Sequence, residues 1–203
     1  MIYILNKICK KYFSKIPTEE LLSTFINDNT IVICIGSSKI SGDSIGPLVG
    51  SILTKSNFCL PVYGTSEDPI HSINLEKKIS SIRKKHKHCR ILAIDASITK
   101  NKNNVGDILC NIGGVSPGTG VERKFKRRFR KIGHVRILGI TESYDENMTP
   151  EERIYKLMDT DEKFVEDIAN TIATLIQRGY EKNQNCKIKL INKIMLTISM
   201  IGR

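Results

Sequence analysis

Continuous apolar runs alternate along the chain with segments whose apolar residues recur at helical spacing. Runs of Val, Ile and Leu without polar alternation are typical of strands buried on both faces of a sheet. The predicted strands are residues 31–36, 60–65, 90–95, 106–112 and 134–141. The predicted helices are residues 17–28, 44–55, 67–86 and 149–180, the last being one helix or a broken pair that ends at Gly179. The alternation predicts an α/β fold, a single doubly wound three-layer domain with a mostly parallel central sheet and helices on both faces.

The length of 203 residues suits one such domain with appendages. We predict an N-terminal helical extension over residues 1–29, the α/β domain over residues 30–180 and a basic amphipathic tail over residues 181–203. The tail carries apolar residues at helical spacing, namely Ile188, Ile191, Met195 and Ile198. A helix of this kind docks on its own domain, in the groove of a partner or on an anionic membrane surface. These three alternatives stay open, as does the oligomeric state.

Two acids stand at the ends of predicted strands. Asp43 lies in the Gly-containing loop after the first strand, and Asp95 comes directly after the apolar run from Ile91 to Ile94. Ligands of open α/β sheets bind just beyond the carboxyl ends of the strands, so both acids occupy a predicted binding crevice. Asp43 has a second interpretation, because Asp43 or Ser44 would also cap the following helix. A helix N-terminus stabilises a carboxylate, so the two interpretations are compatible.

The net charge of +11 comes mainly from two basic clusters at residues 83–90 and 122–131. Such clusters attract polyanions, but they are equally typical of a solvated basic face. Phe125 and Phe129 share one helical face, which favours a docked amphipathic segment over a platform for stacking bases. No nucleic-acid-binding module is recognisable, so we do not expect a nucleic-acid partner.

The six cysteines are scattered without metal-binding spacing, and Cys34 lies inside a predicted core strand. We therefore expect free thiols in a reducing compartment. No apolar run has the length of a membrane span, and the N-terminus lacks the pattern of a secretory signal. These features predict a cytoplasmic protein.

Four segments together carry a resemblance to a known family. They read IGSSKISGDSIGPLVG, VYGTSEDPIHSINL, ILAIDA and VSPGTG, in that order. In this combination the chain resembles the YyaC family of sporulation proteins, described as candidate spore proteases, over roughly residues 30–178. That family is similar in fold to the germination protease of spores and to the hydrogenase maturation endopeptidases. The resemblance implies an endopeptidase that acts on a protein substrate in a sporulating cell or spore.

The resemblance also implies a site built on Asp43 and Asp95. In the maturation enzymes the two matching acids bind a metal together with a His from a later loop, but here that loop reads VSPGTG and contains no His. We therefore expect no metal and no cofactor, and interpret the two acids as a proton-sharing pair that activates water. Amides near Gly36 or Ser37 are the predicted oxyanion donors.

Glu67 and His71 are further candidates for contacting the substrate. His71 is predicted on the first turn of helix 67–86, where it would orient substrate or complete a metal site, or be a plain surface histidine. Asp68 is predicted to cap that helix, and His134 to have a structural role. Asp159, Thr160 and Asp161 only echo a late-helix signature of the family.

A rival hypothesis is a noncatalytic module that keeps the fold and its acidic crevice for binding a protein, because a fold and two acids do not establish turnover. Phosphate chemistry is not predicted, since the loop from Gly36 to Gly42 matches neither a dinucleotide-binding nor a P-loop pattern.

Overall fold

The computed structural model describes residues 18–116 and 131–201, and both chemistry-bearing acids lie in these ranges. The strands are β1 (Thr30–Cys34), β2 (Val62–Tyr63), β3 (Arg90–Thr99), β4 (Ile108–Ile112) and β5 (Val135–Ser143). The helices are α1 (Thr18–Phe25), α2 (Ile45–Lys55), α3 (Leu75–Lys85), α4 (Pro150–Met158) and α5 (Glu162–Ile201). Two short 3-10 turns lie at Ser41–Asp43 and Lys102–Asn104.

The strands form one sheet of order β2-β1-β3-β5-β4. All neighbouring pairs are parallel except β4 and β5, which are antiparallel. Strand β1 buries every side chain, and β3 buries its apolar run before the crevice begins, as these unbroken apolar runs predict. The mostly parallel α/β sheet predicted from the sequence is confirmed.

Helices cover both faces of this sheet. One core cluster packs α1, α2 and α5 against the sheet, through residues such as Leu22, Val49 and Ile172. The second cluster packs α3 against the opposite face, through Ile79 and Ile82. The three-layer arrangement follows, because the central strands β1 and β3 have helices on both faces. Helix α4 contributes no fully buried side chain and stands at the carboxyl edge of the sheet, beside the first 3-10 turn.

Strand β3 is longer than predicted. It continues to Thr99 because β5 pairs with it along that whole length, whereas its other neighbour β1 ends at the pair Cys34 and Ile94. Asp95 therefore lies inside β3, one residue beyond the end of β1, and the prediction that it follows the strand was wrong. Its place at the mouth of the crevice is unchanged, since the neighbouring strand stops beside it.

The helix predicted from residue 67 begins only at Leu75. Asn74 folds back on the preceding turn, where its side chain accepts from the His71 amide at 3.0 Å and donates to the Pro69 carbonyl at 3.0 Å. Asp68 is not the cap of α3 but forms an ion pair with Lys78. His71 therefore lies in a turn before α3, and both helix-based predictions for this segment were wrong.

Residues 149–180 form the broken pair of helices, but the second helix does not end at Gly179. Helix α4 begins with a capping box of Thr149 and Glu152, as predicted, and α5 continues to Ile201. A Cβ atom on Gly179 would lie 2.8 Å from the Cβ of Leu22 in α1. The glycine thus permits close packing of α1 on α5, and it was misinterpreted as a helix terminus.

The start of the tail is attached to the domain, whereas the side chains of Ile188 and Ile191 are not. Asn183 donates to the Ser23 carbonyl, and Lys187 pairs with Asp28 at 2.7 Å. Ile188 and Ile191 are 55% and 57% exposed, so docking on the domain does not cover them. The choice between a partner groove and a membrane surface stays open, and the division into extension, domain and tail stays a prediction.

Several sequence predictions lie wholly or partly outside the described residues. These are the beginning of the N-terminal extension, the basic cluster with Phe125 and Phe129, and the last residues of VSPGTG. Within the described residues, Cys34, Cys59, Cys89, Cys110 and Cys186 are free thiols, as predicted. A search of the described helices finds none with the length and apolar character needed to cross a membrane.

Candidate functional site

Asp43 is held by the loop that follows β1. The Ser37 amide donates to the Asp43 carboxylate at 2.8 Å, and it also lies 3.2 Å from the Asp43 carbonyl oxygen. Ser44 is the N-cap residue of α2 and makes no capping hydrogen bond through its side chain. The carboxylate is thus turned back toward its own loop, so the interpretation of Asp43 or Ser44 as a side-chain cap is not supported.

Asp95 lies beside this loop because β1 and β3 are neighbours in the sheet. Strand β1 ends opposite Ile94, so the next side chain of β3 meets the loop instead of a strand. The negative charge of Asp43 raises the pKa of Asp95, which shows that the two carboxyl groups interact electrostatically. The sequence prediction that these acids share the crevice agrees with this arrangement.

Burial moves both carboxyl groups away from their ordinary titration range. It raises the pKa of Asp43 from 3.8 to about 6, although the hydrogen bond from the Ser37 amide opposes the shift. Burial and the Asp43 charge together raise the pKa of Asp95 well above 3.8, against a smaller opposing effect of the Ala96 amide. Both carboxyl groups therefore hold a proton to higher pH than an exposed aspartate does, and their titrations are coupled.

The two acids open into a pocket of about 610 Å³. Its walls come from the loop after β1, the turn before α3, the ends of β3 and β5, and helix α4. Besides the acids, its polar or charged lining residues are Ser37, Ser38, Lys39, His71, Ser72, Ser97, Thr141, Tyr144 and Arg153. Ile73, Ile98, Ile154 and Leu157 give it an apolar side. A pocket of this volume fits a short peptide segment or a small ligand.

The structure brings Gly36, Ser37 and His71 to the pocket with the acids, but not Glu67. Glu67 is exposed and lies outside its lining. The Gly36 amide donates to the Ile70 carbonyl at 2.9 Å, and the Ser37 amide serves Asp43. Neither amide is free for an oxyanion, so the oxyanion role predicted for these two residues requires correction.

Sequence reasoning missed the side of the pocket formed by β5 and α4. Thr141 is buried, and its hydroxyl donates to the Gly42 carbonyl at 2.8 Å, which ties the Asp43 loop to β5. Tyr144 follows the end of β5, and Arg153 comes from α4. Ligands bind beyond the carboxyl ends of parallel strands, and this rule, which identified the two acids, also applies to β5. It could have pointed to Thr141 and Tyr144 from the sequence.

His134 makes a structural contact away from the pocket, as predicted. Its Nδ1 atom accepts a hydrogen bond from the Ile91 amide at 3.0 Å. Thr160 is buried and donates to the Lys156 carbonyl, while Asp161 accepts from the Phe164 amide at the start of α5. These residues connect and begin helices, and they do not line the pocket.

The donors around the acids do not fit a transition-metal site of the kind that the maturation enzymes use. Within residues 18–116 and 131–201, no three His, Cys, Asp or Glu side chains converge as a metal-binding group. Asp43 and Asp95 alone supply two hard oxygen ligands, fewer than a zinc or nickel site requires. No step of the chemistry proposed below uses a metal.

Comparison with known proteins identifies the family. The model described as "Protein of unknown function (DUF1256)" matches residues 1–175. The chain belongs to the DUF1256 family. It is also 34% identical over 144 residues to the "Uncharacterized protein YyaC" of Bacillus subtilis (strain 168). That alignment covers 70% of this chain and 65% of YyaC, so the chain spans just under two thirds of the relative's length. The resemblance to YyaC inferred from the four motifs is confirmed.

Two solved structures are similar to this DUF1256 chain. The [NiFe] hydrogenase maturation protease HycI from Thermococcus kodakarensis KOD1 gives a TM-score of 0.47 at 16% identity, covering 77% of this chain and 99% of HycI. The hydrogenase 3 maturation protease gives 0.38 at 15% identity, covering 71% of this chain and 86% of that protease. Both TM-scores lie below 0.5, so the fold class is assigned from the sheet order and the helical layers.

The raised pKa of Asp43 predicts how stability depends on pH. Between about pH 4 and 6 the folded protein keeps a proton that the unfolded chain has lost, so the free energy of unfolding falls as pH rises across this window. For Asp43 alone the fall is about 3 kcal/mol, from a pKa change of about two units. Thermal melts of wild type and Asp43→Asn from pH 4 to 7 test this. We expect the variant to gain stability relative to wild type as pH rises, and a pH-independent difference would contradict the assignment.

Proposed function

We propose that this protein is an acid-type endopeptidase that hydrolyses peptide bonds of a protein substrate with Asp43 and Asp95. The observation that supports it most is the placement of two interacting carboxyl groups, both with raised pKa values, in one pocket. Paired carboxyl groups whose environments separate their pKa values divide the roles of general base and general acid.

The proposed reaction begins with a water molecule between the two acids. Ionised Asp43 takes a proton from this water as its oxygen attacks the carbonyl carbon of the peptide. Protonated Asp95 gives its proton to the carbonyl oxygen, which produces a neutral tetrahedral intermediate. In the breakdown Asp43 gives the proton it took from water to the nitrogen as the C–N bond breaks, and Asp95 takes a proton from one hydroxyl of the intermediate. Both acids return to their starting states, and one new carboxyl and one new amino terminus form.

The other pocket residues have positioning roles in this proposal. Thr141 fixes the loop of Asp43 through the Gly42 carbonyl, and the Ser37 amide holds the carboxylate in the orientation that a base requires. Ser37, His71 and the apolar side of the pocket are within reach of a bound peptide. Glu67, outside the pocket, has no part in the proposed chemistry.

We propose that the protein acts in the cytoplasm of a sporulating cell or spore. The link to sporulation rests on what the motif resemblance implies, and the five cysteines in the described residues are free thiols, which is compatible with a reducing compartment. A fluorescent fusion followed through sporulation of the native organism tests this setting. Signal confined to growing cells or to the exterior of the cell would contradict it.

A noncatalytic binding module is the second candidate. The observation that favours it is the use of the Gly36 and Ser37 amides within the protein, because these backbone donors are then not available to stabilise an oxyanion. Such a module would use the same pocket to hold a segment of a protein partner without cleaving it.

Incubation with a proteome-derived peptide library separates these functions. We expect cleavage at internal peptide bonds, read by mass spectrometry of new termini, with a rate that is highest where Asp43 is ionised and Asp95 protonated. A retained set of uncleaved peptides would favour the binding module. Absence of new termini from pH 4 to 8, with wild-type protein that melts cooperatively, would contradict the peptidase proposal.

A further inference from the structure

Arg153 is a cation in the pocket wall whose orientation is fixed from two sides. It belongs to α4, which the capping box of Thr149 and Glu152 anchors at its start. The guanidinium carbon of Arg153 lies 4.5 Å from the centre of the Tyr144 ring, and both residues line the pocket. Stacking of this kind holds the plane of the guanidinium group and leaves its edge to bind another group.

Within the described parts of the chain, the hydrogen-bonding capacity of Arg153 is not used. Its Nε atom is shielded from solvent and has no hydrogen-bond partner. A shielded donor without a partner costs free energy, so it points to a ligand that completes it. Several buried side-chain polar atoms of the described residues have no hydrogen-bond partner. Among the residues that carry them, Arg153 is the one that lines the pocket.

The acids near α4 do not neutralise the Arg153 charge. Glu142 pairs with Lys156 at 2.8 Å, and Glu146 pairs with Lys100. Glu152, the neighbour of Arg153 in sequence, binds the Thr149 amide at 2.7 Å.

Within the described residues Arg153 forms no ion pair, either with the acid pair or with another carboxylate. Asp43 accepts instead from the Ser37 amide. Arg153 lines the same pocket as the acids, with its charge available to a bound molecule.

We propose that Arg153 binds a carboxylate of the peptide held in the pocket, so that the protein selects acidic substrates. The planar guanidinium group matches a carboxylate through two parallel hydrogen bonds, which gives both affinity and register along the peptide. The apolar side of the pocket, including Ile73 with 90% of its surface exposed, accommodates a neighbouring apolar residue. This inference rests on the proposed peptidase function and names its substrate class.

Two sources can supply the carboxylate. An Asp or Glu side chain within the substrate places the scissile bond inside the chain, as an endopeptidase requires. The free C-terminal carboxylate would instead place the cut near the end of the substrate. The shared chemistry is the carboxylate, and the experiment separates the two sources.

The experiment measures peptide retention, so it does not depend on turnover. Immobilised full-length wild type, Arg153→Gln, Arg153→Lys and Arg178→Gln are incubated with the proteome-derived peptide library, and retained peptides or fragments are identified by mass spectrometry. Arg178 is exposed on α5 outside the pocket, so Arg178→Gln is the matched control for loss of one positive charge. Thermal melts verify that each variant is folded.

We expect wild type and Arg178→Gln to enrich peptides that carry a carboxylate at a constant position. Arg153→Gln should lose this enrichment by about tenfold or more, because hydrogen bonds between charged groups are the strong ones. Arg153→Lys should keep part of it, since a lysine supplies the charge without the fork. Equal enrichment by Arg153→Gln and wild type, or no acidic preference in wild type, would overturn the inference.

The most strongly retained peptide is then synthesised in four forms, with Glu or Gln at the selected position and with a free or amidated C-terminus. Weaker binding of the Gln form alone assigns the carboxylate to a side chain, and weaker binding of the amide alone assigns it to the C-terminus. Equal binding of all four forms contradicts the inference. Retention of acidic peptides without cleavage would support Arg153 as the carboxylate site while contradicting the peptidase function, so the two failures are distinguishable.

Discussion

Asp95→Asn and Asp43→Asn should each lower the proposed peptidase activity by about 10²- to 10⁴-fold, while the protein should keep or gain thermal stability. We expect a loss of this size because each substitution removes one partner of general acid-base catalysis. Asparagine has nearly the same shape as aspartate but neither takes up nor gives up a proton in this role. Stability does not fall, because each variant removes a carboxyl group that burial makes unfavourable to ionise.

The measurement is the rate of appearance of new termini at the pH of maximal wild-type activity, together with the melting temperature. Asp107→Asn is the matched control, because Asp107 is an exposed acid outside the pocket and its variant should cleave at the wild-type rate. Cleavage by both pocket variants at the wild-type rate would refute the catalytic assignment. A large drop in melting temperature for Asp43→Asn would show that the carboxylate has a mainly structural role.

The fold and the acid pair could be predicted because they depend on local patterns. Unbroken apolar runs define buried parallel strands, and neighbouring parallel strands bring their carboxyl ends to one edge of the sheet. Asp43 and Asp95 follow from these two facts without any knowledge of the other strands. The YyaC relationship rested on a combination of short motifs in a fixed order, which chance similarity seldom reproduces.

Errors arose where a distant segment determines the local structure. The length of β3 depends on pairing with β5, and the delayed start of α3 depends on the turn that Asn74 closes with Pro69. Gly179 stays helical because α1 packs against it. In each case a tertiary contact outweighs the local propensity that the sequence pattern expresses.

Arg153 and Tyr144 were missed for a related reason. Their separation of nine positions gives no recognisable motif, and they meet because α4 folds back toward the end of β5. The oxyanion donors were misassigned because a sequence cannot show which amides are already used. The positions of the two acids follow from the ends of strands, whereas the positions of Arg153 and Tyr144 follow from the packing of α4.

Gly36→Ala should strongly destabilise the loop that carries Asp43. Gly36 has a φ of +148°, and a Cβ atom there would lie 2.1 Å from the Asp43 carbonyl oxygen. Because the obstacle is backbone, no side-chain rotation relieves it, and the Asp43 loop must move. We expect a loss of about 3 kcal/mol from strain and overpacking, which for a chain of this size lowers the melting temperature by roughly 6–12 °C.

Gly113→Ala is the matched control, because Gly113 also has a positive φ of 119° but a Cβ atom there meets nothing within 4 Å. It should cost only the backbone strain, about 1 kcal/mol or slightly more. Melting curves and the peptide-cleavage rate of both variants decide the matter. If Gly36 determines the conformation of the Asp43 loop, Gly36→Ala should lose activity along with stability, because the Asp43 carboxylate leaves its contact with the Ser37 amide. Gly113→Ala should keep its activity. Equal losses in the two variants would mean that positive φ alone determines the cost and that the close contact with Asp43 does not hold the loop.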